Sequence, residues 1–147
     1  MYEDLVKEIL LYFSTGKPPV KPDVIAYGLG LEVISSSLPQ KVAGFLYLGK
    51  NLQAIIVNES HPLVRQRFTI AHELGHFFLH QKSSFLIEKE RDILDLEADN
   101  FAGTLLLPYF LLERYLTLPS SKISRIFMVS QETLRKRLEM LKRENRL

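Results

Sequence analysis

The sequence predicts an α+β fold in which two N-terminal helices precede a small antiparallel sheet, and a run of helices follows it. Three short runs rich in β-branched and aromatic residues lie between residues 31 and 58, and helical periodicity dominates on both sides of them. The composition, 46% hydrophobic and 24% charged over 147 residues, is that of a globular chain. A chain of this length can bury a core of its own.

The elements up to the end of the sheet can be placed from periodicity and from breakers. The first helix is predicted from about Tyr2 to Phe13, before the breaker run STGKPP. The second lies near PDVIAYGLG, with Pro22 at its start and Gly28 or Gly30 as its stop. The strand-like runs are LEVISSS, VAGFLYLG and LQAIIVN. A short Gly-Lys-Asn turn between the last two predicts a hairpin.

Helices are predicted for the rest of the chain. Asn58 or Ser60 can cap the third helix, whose first turn suits Pro62 and which continues to about His80. A fourth helix is predicted from roughly Glu88 to Leu107, where Pro108 ends it. After a short apolar segment, SSKISRIF and SQETLRKRLEMLKRENRL predict two small helices, with Ser130 as the cap of the second.

The composition excludes several kinds of site and of location. The chain contains no cysteine, so disulfides, thiolate zinc sites and thiol nucleophiles are excluded, and histidines and carboxylates remain as strong metal ligands. Glu3 and Asp4 stand where a secretory signal would carry basic residues. No apolar stretch approaches the roughly 18 residues of a membrane span, so a cytoplasmic location without a membrane partner is expected.

The run FTIAHELGHFFLH, residues 68–80, contains the pattern His-Glu-x-x-His. On a helix, His72 and His76 lie about 5–6 Å apart on one face, so both imidazoles can reach one metal ion. Glu73 lies about 100° around the helix from His72, where it can accept a proton from an attacking water. This arrangement is typical of a zinc hydrolase and predicts Zn²⁺ as the cofactor.

Apolar residues surround this pattern and predict a buried helix; they are Phe68, Ile70, Ala71, Leu74, Phe77, Phe78 and Leu79. A buried polar group without a partner costs about 1–3 kcal/mol, and a bound cation would supply the partners that these histidines need. The alternative is a pair of core histidines hydrogen-bonded to carbonyls.

Gly75 costs about 1 kcal/mol in mid-helix relative to alanine, which indicates a close backbone neighbour. His61 and His80 are interpreted as capping or surface residues.

The helix that contains DLEADNFAGTLLLP is the predicted source of a third ligand, because two histidines do not hold a catalytic zinc ion. Its predicted core face consists of Leu94, Ala98, Phe101, Ala102, Leu105 and Leu106. Asp95 lies about 60° from the centre of that face and Glu97 about 100° away on the other side, so both cannot face one ion. The geometry favours Asp95 over Glu97, and solvated acids remain an alternative. Asp99 can accept a hydrogen bond from a ligand histidine.

The longer run RQRFTIAHELGHFFLH, with the strand AIIVN before it and the helix EAxxFAxxLLLP after it, resembles the ImmA/IrrE family of zinc metallopeptidases. The resemblance extends to PDVIAYGLGLEV upstream and IFMVSQETLRKRLEML downstream, and so covers most of the chain. By position it implies that His72, His76 and Asp95 bind the metal and that Glu73 is the general base. The family usually has glutamate at position 95 and often asparagine at position 99.

The resemblance also implies a zincin-like fold, similar to minimal thermolysin-like proteins, and a zinc-dependent endopeptidase activity. The expected substrate is a helix-turn-helix repressor of a mobile-element or stress-response system. Residues 1–147 are expected to form one metallopeptidase domain, with a catalytic core over about 1–118 and a basic helical segment over about 119–147. His61, Tyr109 and Tyr115 are candidates, by residue type alone, for stabilising the oxyanion.

The sequence leaves two alternatives to an endopeptidase, a DNA-binding regulator and a module without catalytic activity. Residues 122–147 hold eight Lys/Arg against three Glu, a net charge of +5, and resemble a helix-turn-helix in which Lys136 or Arg137 could contact phosphates. Leu134, Leu138 and Leu141 instead favour an amphipathic helix packed on the core. The chain could also be a non-catalytic, antitoxin-like module that binds a partner.

Overall fold

Seven α-helices and a three-stranded sheet follow one another in the predicted order in the part of the chain that the computed structural model describes, residues 1–13, 16–84 and 91–147. The first three helices and the strands are α1 (Glu3–Tyr12), α2 (Pro22–Gly28), β1 (Glu32–Ser36), β2 (Gly44–Leu48), β3 (Gln53–Asn58) and α3 (Leu63–Leu79). After them come α4 (Arg91–Leu106), α5 (Tyr109–Leu112), a 3₁₀ turn (Glu113–Tyr115), α6 (Ser120–Phe127) and α7 (Gln131–Arg143). The α+β class is confirmed.

The sheet is mixed, so the prediction of an all-antiparallel sheet was wrong. The strand order is β1-β3-β2; β2 and β3 form the predicted antiparallel hairpin, whereas β1 pairs with β3 in parallel. Burial explains the difference, because β3 is the most buried strand and takes the centre with a neighbour on each side. The loop between β1 and β2 reverses the chain direction. The Asn58 side-chain amide holds that loop through the carbonyls of Leu38, Pro39 and Val42.

The helix caps agree in part with those predicted from the sequence. Ser130 caps α7 by accepting a hydrogen bond from the Thr133 amide at 3.0 Å, as predicted. The predicted cap of α3 was wrong, because Pro62 occupies that position and the Asn58 side chain accepts from the backbone and hydroxyl of Ser60. The predicted start of α4 near residue 88 lies outside the described residues.

The C-terminal helices are packed on the core by buried arginines. Arg67 of α3 donates to the carbonyls of Phe127 and Met128 at the end of α6. Arg137 of α7 is 1% exposed; it donates to the Leu107 carbonyl at 2.9 Å and pairs with Glu3. Arg137 is therefore a structural residue, and the suggestion that it contacts phosphates was wrong. The amphipathic interpretation of α7 is confirmed by its buried leucines at 134 and 141.

Helices α3 and α4 pack against each other at a glycine. A Cβ placed on Gly75 would lie 3.0 Å from the Ala98 Cα and 3.1 Å from its carbonyl oxygen, which confirms the predicted close backbone neighbour. The face of α4 that meets α3 is the predicted core face, and its six residues are buried. None of the helices among the described residues is long and apolar enough to cross a membrane.

Candidate metal centre and active site

Helix α3 presents three histidines in a row along one face. The rings of His72 and His76 have their centroids 4.8 Å apart, and those of His76 and His80 lie 5.0 Å apart. The i, i+4 spacing along the helix sets these distances. His76 is 1% exposed, and the middle of the helix, residues 67–76, is largely buried, as the apolar run predicted, whereas Phe77, Phe78 and Leu79 are half-buried. Ligand atoms of His72, Glu73 and His76 lie within 4.8 Å of one another.

Helix α4 brings a carboxylate to the two histidines of the motif. Asp95 Oδ1 lies 3.0 Å from His76 Nε2 and 3.4 Å from His72 Nε2. A tetrahedral zinc ion with bonds of about 2.0–2.1 Å holds its ligand atoms roughly 3.3 Å apart, so these two distances between the carboxylate and the imidazoles suit such an ion. Glu73 Oε2 is farther from His72 Nε2, at 3.8 Å. Asp95 is therefore better placed than Glu73 to complete a metal site.

Asp99 fixes the orientation of the first histidine. His72 Nδ1 lies 2.7 Å from Asp99 Oδ1, so the ring donates its Nδ1 proton to this carboxylate and presents Nε2 to the centre. Burial lowers the pKa of His72, but the hydrogen bond to Asp99 and the charges of the nearby carboxylates outweigh it, and the net pKa is raised. The structure thus gives Asp99 the contact that the helical spacing predicted.

His80 and Glu97 lie behind the second histidine. His76 Nδ1 is 2.9 Å from His80 Nδ1, and His80 Nε2 is 3.0 Å from Glu97 Oε1. Glu97, which the sequence left open as an alternative to Asp95 for the third metal ligand, is thus hydrogen-bonded to His80 instead of approaching His72. His80 is the C-cap residue of α3, as predicted, but its side chain is only 7% exposed, so it is not a surface residue. Burial and the neighbouring His72 lower the pKa of His76 to about 4.

Glu73 is buried beside the histidine pair. Burial raises its pKa to about 7, although His72 and the polar groups of Ser84 and Leu46 act in the opposite direction. Its Oε1 is buried and has no hydrogen-bond partner among the described residues. A carboxylate with a pKa near 7 and a free oxygen beside a metal site is suited to accept a proton at neutral pH.

A cleft of about 490 Å³ opens over these side chains. Its other walls include Lys41, Gly44, Arg65, Phe68, Thr69 and Ser84. The start of β2, at Gly44 and Phe45, borders the cleft. Farther along the outer edge of this strand, the amides of Leu46 and Leu48 donate to the hydroxyls of Ser84 and Ser83, each at 2.8 Å. Because backbone groups alternate along a strand, Gly44 also directs its N–H and C=O outward, towards the cleft.

The candidates for oxyanion stabilisation are not in the cleft. His61 is 3% exposed and contacts the Gln40 carbonyl at 2.9 Å, so its side chain neither caps α3 nor lies at the surface. Tyr109 donates to the Arg146 carbonyl, and the ring of Tyr115 packs on Phe127. The cleft cations were missed by the sequence reasoning. Arg65 of α3 could have been found, since it precedes His72 by seven residues and so shares its helix face.

Comparison with known proteins agrees with this geometry. The family model of the IrrE N-terminal-like domain, Peptidase M78, matches residues 26–139. Among solved structures, a Mycobacterium tuberculosis transcriptional regulator is similar in fold, with a TM-score of 0.62 and 22% identity; the match covers 88% of this chain and 45% of that one. The chain thus spans less than half of the regulator. No curated protein matches significantly. The family match spans most of the chain and both helices of the site, and the chain belongs to the Peptidase M78 family of IrrE N-terminal-like domains.

Proposed function

We propose that the protein is a zinc-dependent endopeptidase in which His72, His76 and Asp95 bind the metal. The observation that carries this proposal is that Asp95 Oδ1 lies 3.0 Å from His76 Nε2 and 3.4 Å from His72 Nε2, with the Glu73 carboxylate beside them. When bound, Zn²⁺ acts as a Lewis acid that polarises the scissile carbonyl and activates water. Glu97 is not proposed as a ligand, because its carboxylate is 3.0 Å from His80 Nε2.

Glu73 is proposed as the general base. Its buried carboxylate would take a proton from the attacking water and deliver it to the leaving amine, which requires a pKa between those of the two partners. Burial supports this role by raising the pKa of Glu73 to about 7. Asp99 would keep the His72 ring oriented through the 2.7 Å hydrogen bond.

The cleft supports a peptide as the substrate. Gly44 turns its backbone donor and acceptor towards the cleft, so an extended peptide can add to β2 as a further strand. A side chain at position 44 would obstruct the pairing of β2 with β3, since a Cβ there would lie 2.3 Å from the Ile56 carbonyl oxygen. Arg65 and Lys41 at the rim are the cleft cations available for polarising a substrate carbonyl.

The finer proposal is that the substrate is a helix-turn-helix repressor. The family membership and the similarity to a protein named as a transcriptional regulator support a regulatory role. The test is incubation of the purified zinc-loaded protein with helix-turn-helix repressors from the same genome, with and without a chelator. Chelator-sensitive cleavage at a defined bond is the expected result. An intact repressor beside a zinc-loaded, folded protein would contradict this substrate.

Direct DNA binding through residues 122–147 is the weaker alternative. The charges on α7 are largely engaged, because Arg135 pairs with Glu132 and Glu139, and Lys136 lies 3.7 Å from Glu132. Gel shifts across a salt series test it, since phosphate-driven binding weakens steeply with salt. A non-catalytic partner-binding module is the other alternative; it predicts that the repressor forms a stable complex and is not cut.

A further inference from the structure

Two side chains behind the metal centre are not used by the proposed mechanism. His80 and Glu97 form a line of contacts that ends at His76: Glu97 Oε1 to His80 Nε2 at 3.0 Å, and His80 Nδ1 to His76 Nδ1 at 2.9 Å. The two imidazoles are buried, whereas the Glu97 side chain is 44% exposed. The line therefore connects solvent, through one intervening ring, to the Nδ1 nitrogen of a proposed ligand histidine.

The donor and the acceptor in each of these hydrogen bonds can be assigned by starting from the Glu97 carboxylate. An ionised carboxylate only accepts, so the proton of a neutral His80 must lie on Nε2. His80 Nδ1 then has a lone pair and can only accept, which requires His76 to donate from its own Nδ1. A neutral imidazole has one N–H, so His76 Nε2 is left with a lone pair 3.0 Å from Asp95 Oδ1, and these two acceptors are compatible when a bound cation takes both as ligands.

The opposite direction is incompatible with a bound metal ion. If His80 donated from Nδ1 to His76, the His80 lone pair at Nε2 would face the Glu97 carboxylate, and two acceptors would meet at 3.0 Å. His76 would also carry its proton on Nε2, where a metal ligand needs a lone pair. The contacts with Glu97 and His80 therefore select the tautomer of His76 that can bind a metal.

We infer that His80 and Glu97 are positioning residues that set the metal-binding tautomer and ring orientation of His76 through a carboxylate–imidazole–imidazole line. This inference rests on the proposed metal centre. Each ligand histidine is then tied to a carboxylate of α4, His72 directly through Asp99 and His76 through His80. Such outer partners raise the basicity of the ligand nitrogen and restrict its ring.

A matched pair of variants at position 80 tests the inference. Asparagine and leucine are similar in size, but an asparagine side chain would keep an acceptor for the His76 Nδ1 proton and a leucine side chain would not. We expect His80→Leu to weaken Zn²⁺ binding by about 10- to 100-fold, and His80→Asn to recover most of that loss. Zn²⁺ affinity is measured on the apo protein by competition with a chromophoric chelator, and the Co²⁺ absorption spectrum reports the ligand geometry.

Glu97→Gln provides a second variant at a half-exposed position, with Asp92→Asn as the control for loss of an acid on an exposed part of α4. A glutamine amide can donate or accept, so it removes the constraint on the direction of the line. We expect weaker Zn²⁺ binding for Glu97→Gln and none of this effect for Asp92→Asn. Circular dichroism of each apo variant confirms folding.

The outcomes separate this inference from the proposed function. If the wild-type protein binds neither Zn²⁺ nor Co²⁺, the metal centre is wrong and the inference falls with it. If the wild type binds Zn²⁺ and both His80→Leu and Glu97→Gln bind it equally tightly with the same Co²⁺ spectrum, only the positioning role is wrong. The inference is supported if Zn²⁺ affinity falls in His80→Leu and in Glu97→Gln, and if His80→Asn recovers most of the affinity that His80→Leu loses.

Discussion

Gly75 of α3 lies directly on the backbone of Ala98 in α4, so close that a Cβ on the glycine would be 3.0 Å from the Ala98 Cα and 3.1 Å from its carbonyl oxygen. Backbone atoms cannot rotate away as a side chain can. The contact therefore sets the distance between the helix that bears the histidines and the helix that bears Asp95 and Asp99. The cost of a mid-helix glycine, about 1 kcal/mol, is offset by this packing.

Gly75→Ala is expected to weaken metal binding as well as the fold. The gain in helix propensity, about 1 kcal/mol, opposes the overpacking cost of about 1–3 kcal/mol, so the free energy of unfolding should fall by no more than about 2 kcal/mol. The added methyl group would displace α4 and Asp95 with it. We expect Zn²⁺ affinity to fall by roughly tenfold or more, since small displacements of site residues are costly.

Gly103→Ala is the matched control, because a Cβ at this position of α4 meets nothing within 4 Å among the described residues. It should stabilise the protein by about 0.5–1 kcal/mol and leave Zn²⁺ affinity unchanged. Urea denaturation gives the stability of both variants. Equal metal affinities for the two would show that the helix spacing does not control the site.

Metal removal should destabilise the fold. A ligand that binds only the native state at 100 times its Kd adds about 2.7 kcal/mol, which corresponds to a Tm increase of roughly 5–10 °C for a chain of this size. We expect this increase when Zn²⁺ is added to the chelator-treated wild type, measured by differential scanning fluorimetry. Asp95→Ala should abolish it, and an unchanged Zn²⁺ response in that variant would remove Asp95 from the metal site.

Glu73→Gln should separate metal binding from turnover. Glutamine keeps the size of the buried side chain but cannot accept the proton, so we expect kcat for peptide cleavage to fall by about 10²–10⁴-fold while Zn²⁺ affinity stays within a few-fold. The comparison uses metal content and single-turnover cleavage of the same substrate. Cleavage at the wild-type rate would rule out Glu73 as the general base.

Arg137→Ala should cost far more stability than its position on a basic helix suggests. The Arg137 side chain is 0% exposed and paired with Glu3, and removing one partner of a buried ion pair costs about 3–5 kcal/mol. Lys136→Ala removes the neighbouring charge at a side chain that is 69% exposed and should change stability by less than about 0.5 kcal/mol. Chemical denaturation of both variants measures this difference, and similar stabilities would contradict the structural role of Arg137.

Local pattern predicted the parts of this protein that depend on one element at a time. The helix of His72 and His76, its burial, the face of α4 and the cap at Ser130 all follow from periodicity and residue type along a single segment. Asp95 was preferred over Glu97 by the same reasoning; its carboxylate lies within 3.4 Å of both histidines, and its role as a ligand stays a prediction.

Features that depend on two distant segments were not predictable in the same way. The parallel pairing of β1 with β3 depends on which strand takes the centre of the sheet, and no local pattern encodes this. The contact of His80 with Glu97 depends on how α3 and α4 cross, so His80 could be placed at a helix end but not beside a carboxylate. Arg137 looked like part of a solvated basic face because its partner, Glu3, lies 134 residues away in the chain.

The hydroxyls of Ser83 and Ser84, which bind the outer edge of β2, also affect whether two copies of the protein can associate. An exposed edge strand is a template on which a second copy of the same chain can add. Ser83 and Ser84 already accept the outward amides of Leu48 and Leu46, so a strand from another molecule would find those donors engaged along half of β2. Among the described residues, no hydrogen bond engages the outer edge at Gly44. The serine contacts thereby reduce strand addition at the far end of β2 and do not engage the stretch where we propose that a peptide binds.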